Sequence, residues 1–139
     1  MMDTHFISSR HTEGMAFITS IAEHELLTDT GKDNGGNDEG PGPKRLMLVA
    51  LAGCTGIDII TILHKMKVSF SDLSIDTEGT LGDEHPKIYQ QVTVTYKIKM
   101  ADTERLKMEK AVQLSVDKYC GVMAMFKTFA KVKTEIVYL

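Results

Sequence analysis

A long apolar run with no polar face limits what this chain can fold into. In PGPKRLMLVALAGCTGIDIITILHKMK, residues Leu46 to Ala52 precede Cys54 almost without a polar side chain. Ile57, Ile59, Ile60, Ile62, Leu63 and Met66 follow it. A helix of this kind needs cover on every side. From Pro43 to Lys67 it would span roughly 36 Å at about 1.5 Å per residue. Pro43 suits its first turn, where the missing N–H would be unpaired anyway. Gly53 and Gly56 each cost about 1 kcal/mol relative to Ala in a helix interior. With Ala50 and Ala52 they would let another backbone, or a substrate, approach the thiol. Tight helix packing accounts for the same residues. Gly53, Gly56 and Asp58 are therefore candidates to line a substrate pocket. Asp58 lies near the middle, and the purely apolar runs are too short to span a bilayer. The expectation is a soluble, cytoplasmic protein with no membrane partner.

The 139 residues fit one domain, 1–139, with length enough for a real core. A net charge of −3, with Lys and Arg scattered singly, argues against a nucleic-acid partner. The start, MMDTHFISSRHTEG, lacks the pattern of a secretory signal. Cys54 and Cys120 are too few for a disulfide scaffold, and in a reducing compartment they default to free thiols.

Periodicity places the remaining elements. THFISSR, MAFITSIA and HELLTD read as three short strands of a meander. TGKDNGGNDEGPGP, rich in Gly, Asp, Asn and Pro, reads as an exposed, mobile loop. VSFSDLSIDTEGTL alternates as a strand, a turn covers Glu78–Pro86, and KIYQQVTVTYKIKM is the strongest strand in the chain. The two strands form an antiparallel hairpin. Asp102 is placed to cap a second helix, whose Met108, Ala111, Val112, Ser115, Val116 and Tyr119 share one face. Gly121 permits a break after Cys120, before a short helix, VMAMFKTF, and a closing strand, VKTEIVYL. The fold class is α+β, in the order β3-α-β2-α2-β.

Two thiols could support redox chemistry if the fold brings them together, and spatial distance alone decides that. A nucleophilic Cys54 needs a cation or a helix N-terminus. Its own helix begins about three turns away, and Asp58 disfavours a thiolate. The cation must come from elsewhere, and Arg10, Arg45 and Arg105 are the permanent ones. The bland alternative is that each Cys only fills core space. His5, His11, His24, His64 and His85 show no ligand spacing, so no metal is expected. Phosphate-loop and GxSxG motifs are absent.

PGPKRLMLVALAGCTGIDIITIL, EHPKIYQQVTVTYKI and AVQLSVDKYCGVMAMF together resemble the OsmC/Ohr family of thiol-dependent peroxidases, in particular its smaller OsmC-like branch. The likeness runs from about Gly14 to the C-terminus. It implies an intertwined homodimer, with the long Cys-bearing helices central and mixed six-stranded sheets outside. A partner chain would then cover the apolar helix. It also implies that Cys54 attacks a small organic hydroperoxide and becomes a sulfenic acid. Cys120 then condenses with it to a disulfide, which an external dithiol or lipoylated reductant opens. No bound cofactor is implied. Better characterised members carry a Glu ten positions before the first Cys, where it orients an activating Arg. Here Lys44 stands in that place, followed by Arg45, and Arg10 lies near the position of the family's Arg. Arg10, Lys44 and Arg45 are the candidate activating cations. The departure keeps open a second reading, a non-catalytic dimer that senses redox state or binds an apolar ligand.

Overall fold

Val92, Val94, Tyr96 and Ile98 set one face of β5 (Tyr89–Met100) into the core at period two, as β-branched and aromatic side chains favour. β4 (Phe70–Leu81) pairs with it antiparallel, and β6 (Lys131–Tyr138) pairs parallel on its other edge. Strand β4 runs through Glu78 to Leu81, where the sequence predicts a turn. Gly79 opposes Val92, and a Cβ there would stand 2.6 Å from the Tyr89 ring, so the absence of a side chain lets the hairpin continue. The chain, described from residue 2 to 139 by a computed structural model, packs as two compact units, Met1–Met47 and Leu48–Leu139.

Across the β4-β5-β6 sheet lies α1 (Pro43–Lys65), unbroken through Gly53 and Gly56. Leu51, Thr55, Ile59, Ile62 and Leu63 form its buried face. The expectation of cover on every side is not met within the chain. Val49 and Ile57 are 63% and 67% exposed, on a stripe with Gly53 and Ile60. Taken whole, α1 is also long and apolar enough to cross a bilayer, which its short purely apolar runs did not suggest. The buried core helix of a soluble protein meets the same test.

α2 (Arg105–Leu114) and α3 (Gly121–Lys127) complete the second unit. Asp102 does not cap α2. It sits in a 3-10 turn, Asp102–Glu104, and pairs with Arg105 at 3.0 Å. The strands make two three-stranded sheets within one chain, and the second of them is mixed.

In the first unit β1 (Ser8–His11), β2 (Phe17–Ile21) and β3 (His24–Thr28) form the expected antiparallel meander. β1 begins four residues later than Thr4, because only Ser8 to His11 have partners on β2. The Gly-rich segment that follows is organised around Asp29, which is buried. Its carboxylate accepts the N–H groups of Thr30 at 2.7 Å and of Asn37 and Glu39 at 3.2 Å. These bonds favour the ionised form and lower the Asp29 pKa below 3.8. Their stabilisation is present above that value and fades as pH falls through the lowered pKa. Asp29→Asn is expected to weaken the fold at neutral pH and to flatten its acid transition, read by denaturant midpoints across pH. Identical acid transitions in parent and variant would refute this role.

Candidate active site

Cys120 owes its position to an irregular turn. After α2 the chain makes one π-turn, Ser115–Tyr119, in which the Cys120 N–H donates to the Ser115 carbonyl at 2.9 Å. The extra residue in that turn shifts the helical phase. Tyr119, expected on the buried face, is 53% exposed, and Cys120 is turned inward at 3%. Cys120 then leaves helical geometry (φ −78°, ψ 105°) and caps α3, its sulfur accepting the Met123 N–H at 3.3 Å. The break therefore falls at Cys120 itself, and Gly121 begins the helix.

Cys54 is half-buried on α1, and neither cysteine is in a disulfide. They are neighbours. The Cys120 pKa is pushed from 9.0 up to about 11, first by burial and next by the neighbouring Cys54 thiol. The charges of Cys54 and Asp58 add to the rise, and the Met123 N–H opposes it. A raised pKa favours the protonated form of an acid. Cys120 is thus held as the thiol at neutral pH.

Beside the thiols runs a chain of hydroxyls that the sequence analysis did not single out. Thr55 Oγ1 is 2.7 Å from Tyr96 Oη and 2.8 Å from Ser115 Oγ, and Ser115 Oγ donates to Asp58 Oδ2 at 2.9 Å. Thr55, Ser115 and Tyr96 are wholly buried. A buried hydroxyl left without a partner costs about 1–3 kcal/mol, so each link is held in place by its neighbours. The chain joins α1, the π-turn and β5, the elements that carry or flank both cysteines. A signal for it existed: each member is a polar residue in an otherwise apolar register of its own element.

The glycines beside Cys54 differ. A Cβ on Gly56 would meet Ile75 Cδ1 at 3.1 Å, so Gly56 lets α1 approach β4. Gly53 faces open space. Asp58 is half-buried and lines a cavity of about 340 Å³ with Thr61, Ile62, Lys65, Leu114 and Tyr119. Arg10 is exposed on β1, in the first unit. Lys44 and Arg45 are exposed in the first turn of α1, lining a cavity with the glycines of the Asp29 loop. No cation is among the groups that shift Cys120. Among the described residues no group of His, Cys, Asp and Glu could hold a metal ion.

The family model described as OsmC-like protein matches residues 35–135, a span that includes both cysteines and the whole hydroxyl chain. The chain belongs to the OsmC-like family. Protein YhfA of Escherichia coli (strain K12) is 29% identical over 116 residues, covering 83% of this chain and 84% of that protein. Among solved structures, a hypothetical protein from Aquifex aeolicus VF5 is 26% identical at a TM-score of 0.85, covering 99% of this chain and 98% of that one. An organic hydroperoxide resistance protein from Elizabethkingia anophelis shares the fold at a TM-score of 0.73 and 16% identity, covering 100% and 99%. The OsmC-like α+β fold expected from the sequence is the fold found.

Proposed function

We propose that this OsmC-like protein reduces organic hydroperoxides with Cys54 as nucleophile and Cys120 as resolving thiol. The observation that carries the reading is a pair of free cysteines, Cys54 and Cys120, close enough for one thiol to act on the acidity of the other. The Cys54 thiolate attacks the outer peroxide oxygen, the O–O bond breaks, and the alcohol leaves with a proton. Cys120 then attacks the sulfenic sulfur, releasing hydroxide, which becomes water, and leaving a disulfide. An external dithiol, free or lipoylated, restores both thiols by exchange.

The name of the Elizabethkingia neighbour favours hydroperoxide as the substrate class. The open stripe of α1, with Val49, Gly53, Ile57 and Ile60, favours a homodimer in which a second copy covers it. Arg10, Lys44 and Arg45 are the proposed sources of the activating charge, and a reducing cytoplasm is the proposed setting.

Titration with an alkyl hydroperoxide, followed by mass spectrometry of the thiols, tests the reading. One equivalent should convert the dithiol into an intramolecular Cys54–Cys120 disulfide. Thiols that survive excess hydroperoxide would overturn the peroxidase and favour the ligand-binding alternative.

A further inference from the structure

The two cysteines stand on separate elements, and one residue is bonded to both of those elements. Ser115 Oγ donates to Asp58 Oδ2 at 2.9 Å, which leaves it to accept from Thr55 Oγ1 at 2.8 Å. Both partners belong to α1, and Thr55 follows Cys54 directly. The main chain of the same serine holds the other cysteine, its carbonyl accepting the Cys120 N–H at 2.9 Å. Ser115 is wholly buried, so solvent does not compete for its hydroxyl.

A second hold on the same turn comes from α3. Lys127, the last residue of that helix, donates from Nζ to the Val116 carbonyl at 2.8 Å and pairs with Asp117 at 3.5 Å. Val116 lies within the last four residues of its helix, whose carbonyls have no intrahelical donor. Cys120 is itself fixed to α3 through the Met123 N–H at 3.3 Å. Single π-turns are rare inside α-helices and gather at functional sites. Bonds from outside the turn are what keep its extra residue in place.

We infer that Ser115 and Lys127 are positioning residues, which bond the 115–119 turn to α1 and α3 and so set the Cys120 sulfur to close a disulfide with Cys54. In closure Cys120 loses its proton to solvent and its sulfur bonds to the Cys54 sulfur. The group carried by Cys54 leaves with the electron pair of the bond that breaks. Neither Ser115 nor Lys127 takes part in that exchange; they confine its geometry. A disulfide tolerates a Cβ–Cβ separation of only about 3.5–4.5 Å, so a turn free to relax would be within reach for less of the time. Holding the two groups together is what makes such a step effectively unimolecular. The effect is confined to the second thiol, because Cys54 lies on α1, outside the turn.

The inference rests on the dithiol reading above but not on hydroperoxide as the oxidant, so its test uses an aromatic disulfide that releases coloured thionitrobenzoate. The first equivalent released reports attack by the half-buried Cys54 on the reagent, and the second reports closure by Cys120 on the mixed disulfide. Ser115→Ala should slow the second phase by about 10²-fold, the loss that a misplacement of about 1 Å can bring, and leave the first phase as it is. Lys127→Met changes an exposed side chain and should slow closure about fivefold, what one hydrogen bond is ordinarily worth. Lys127→Arg, which can donate to the same carbonyl, should restore it. If Ser115→Ala does not fold, the two Lys127 variants decide alone. Closure at the parent rate in the folded variants would overturn the positioning role. First and second phases that slow together would overturn it as well, since that marks general loosening. A parent protein that releases a single equivalent overturns this role and the dithiol reading together. One that closes in this assay yet ignores alkyl hydroperoxide refutes the peroxidase alone.

Discussion

If Cys54 is the nucleophile proposed above, Cys54→Ser should bring hydroperoxide consumption down to the uncatalysed background. Where the nucleophile is lost, what disappears is the whole acceleration, and for enzymes that is typically about 10⁶-fold or more. A serine hydroxyl at the same place is isosteric but far less nucleophilic than a thiolate. Cys120→Ser separates the two thiol roles. Serine is a strong helix N-cap, so it can accept the Met123 N–H as the sulfur does, and α3 keeps its start. That variant should consume one equivalent of hydroperoxide and stop as a Cys54 sulfenic acid, which a 1,3-diketone traps. The measurement is peroxide consumed per subunit, with the adduct located by mass. A Cys54→Ser protein that turns over at the parent rate would sink the proposal.

Phe126→Ala carries the largest expected stability loss, about 3–5 kcal/mol for a buried aromatic. Phe126 is 1% exposed and its ring lies 5.1 Å from that of Phe129. The cavity would open beneath α3, the helix that Cys120 caps, so the change reaches the thiol as well as the core. With a urea m-value of about 1–3 kcal/mol/M, the midpoint should fall by one to several molar. A midpoint that moves by less than the curve-to-curve error would mean that the surrounding side chains close the gap, and would refute this anchoring role.

The parts of this fold that sequence reveals are those that repeat along one element. Val92, Val94, Tyr96 and Ile98 mark β5 by alternation alone, and α1 begins at Pro43 as expected and ends two residues short of Lys67. What stays hidden depends on partners far away in sequence or on the backbone. The carboxylate of Asp29 organises its loop through main-chain N–H groups, which no residue type advertises. Asp102 has the right chemistry to cap a helix, and Arg105 takes it instead. Tyr96, Thr55 and Ser115 each occupy an apolar register on a separate element, and only packing turns three misplaced hydroxyls into one chain. For the site, the two cysteines were legible individually. Their pairing was expected only through the family resemblance, and the acid-weakening surroundings of Cys120 were not legible, because they follow from burial.

One residue of helix phase separates this dithiol from two unrelated cysteines. The π-turn at Ser115–Tyr119 holds one residue more than an α-helical turn would. Deleting a residue there would leave every motif, the composition and both cysteines in place. It would also rotate Cys120 by about 100°, the angle that one residue subtends in an α-helix. Two chains alignable along nearly their whole length could thus differ in having paired thiols at all. Counting cysteines compares such chains poorly; counting residues between Ser115 and the second cysteine compares them in the coordinate that sets the geometry.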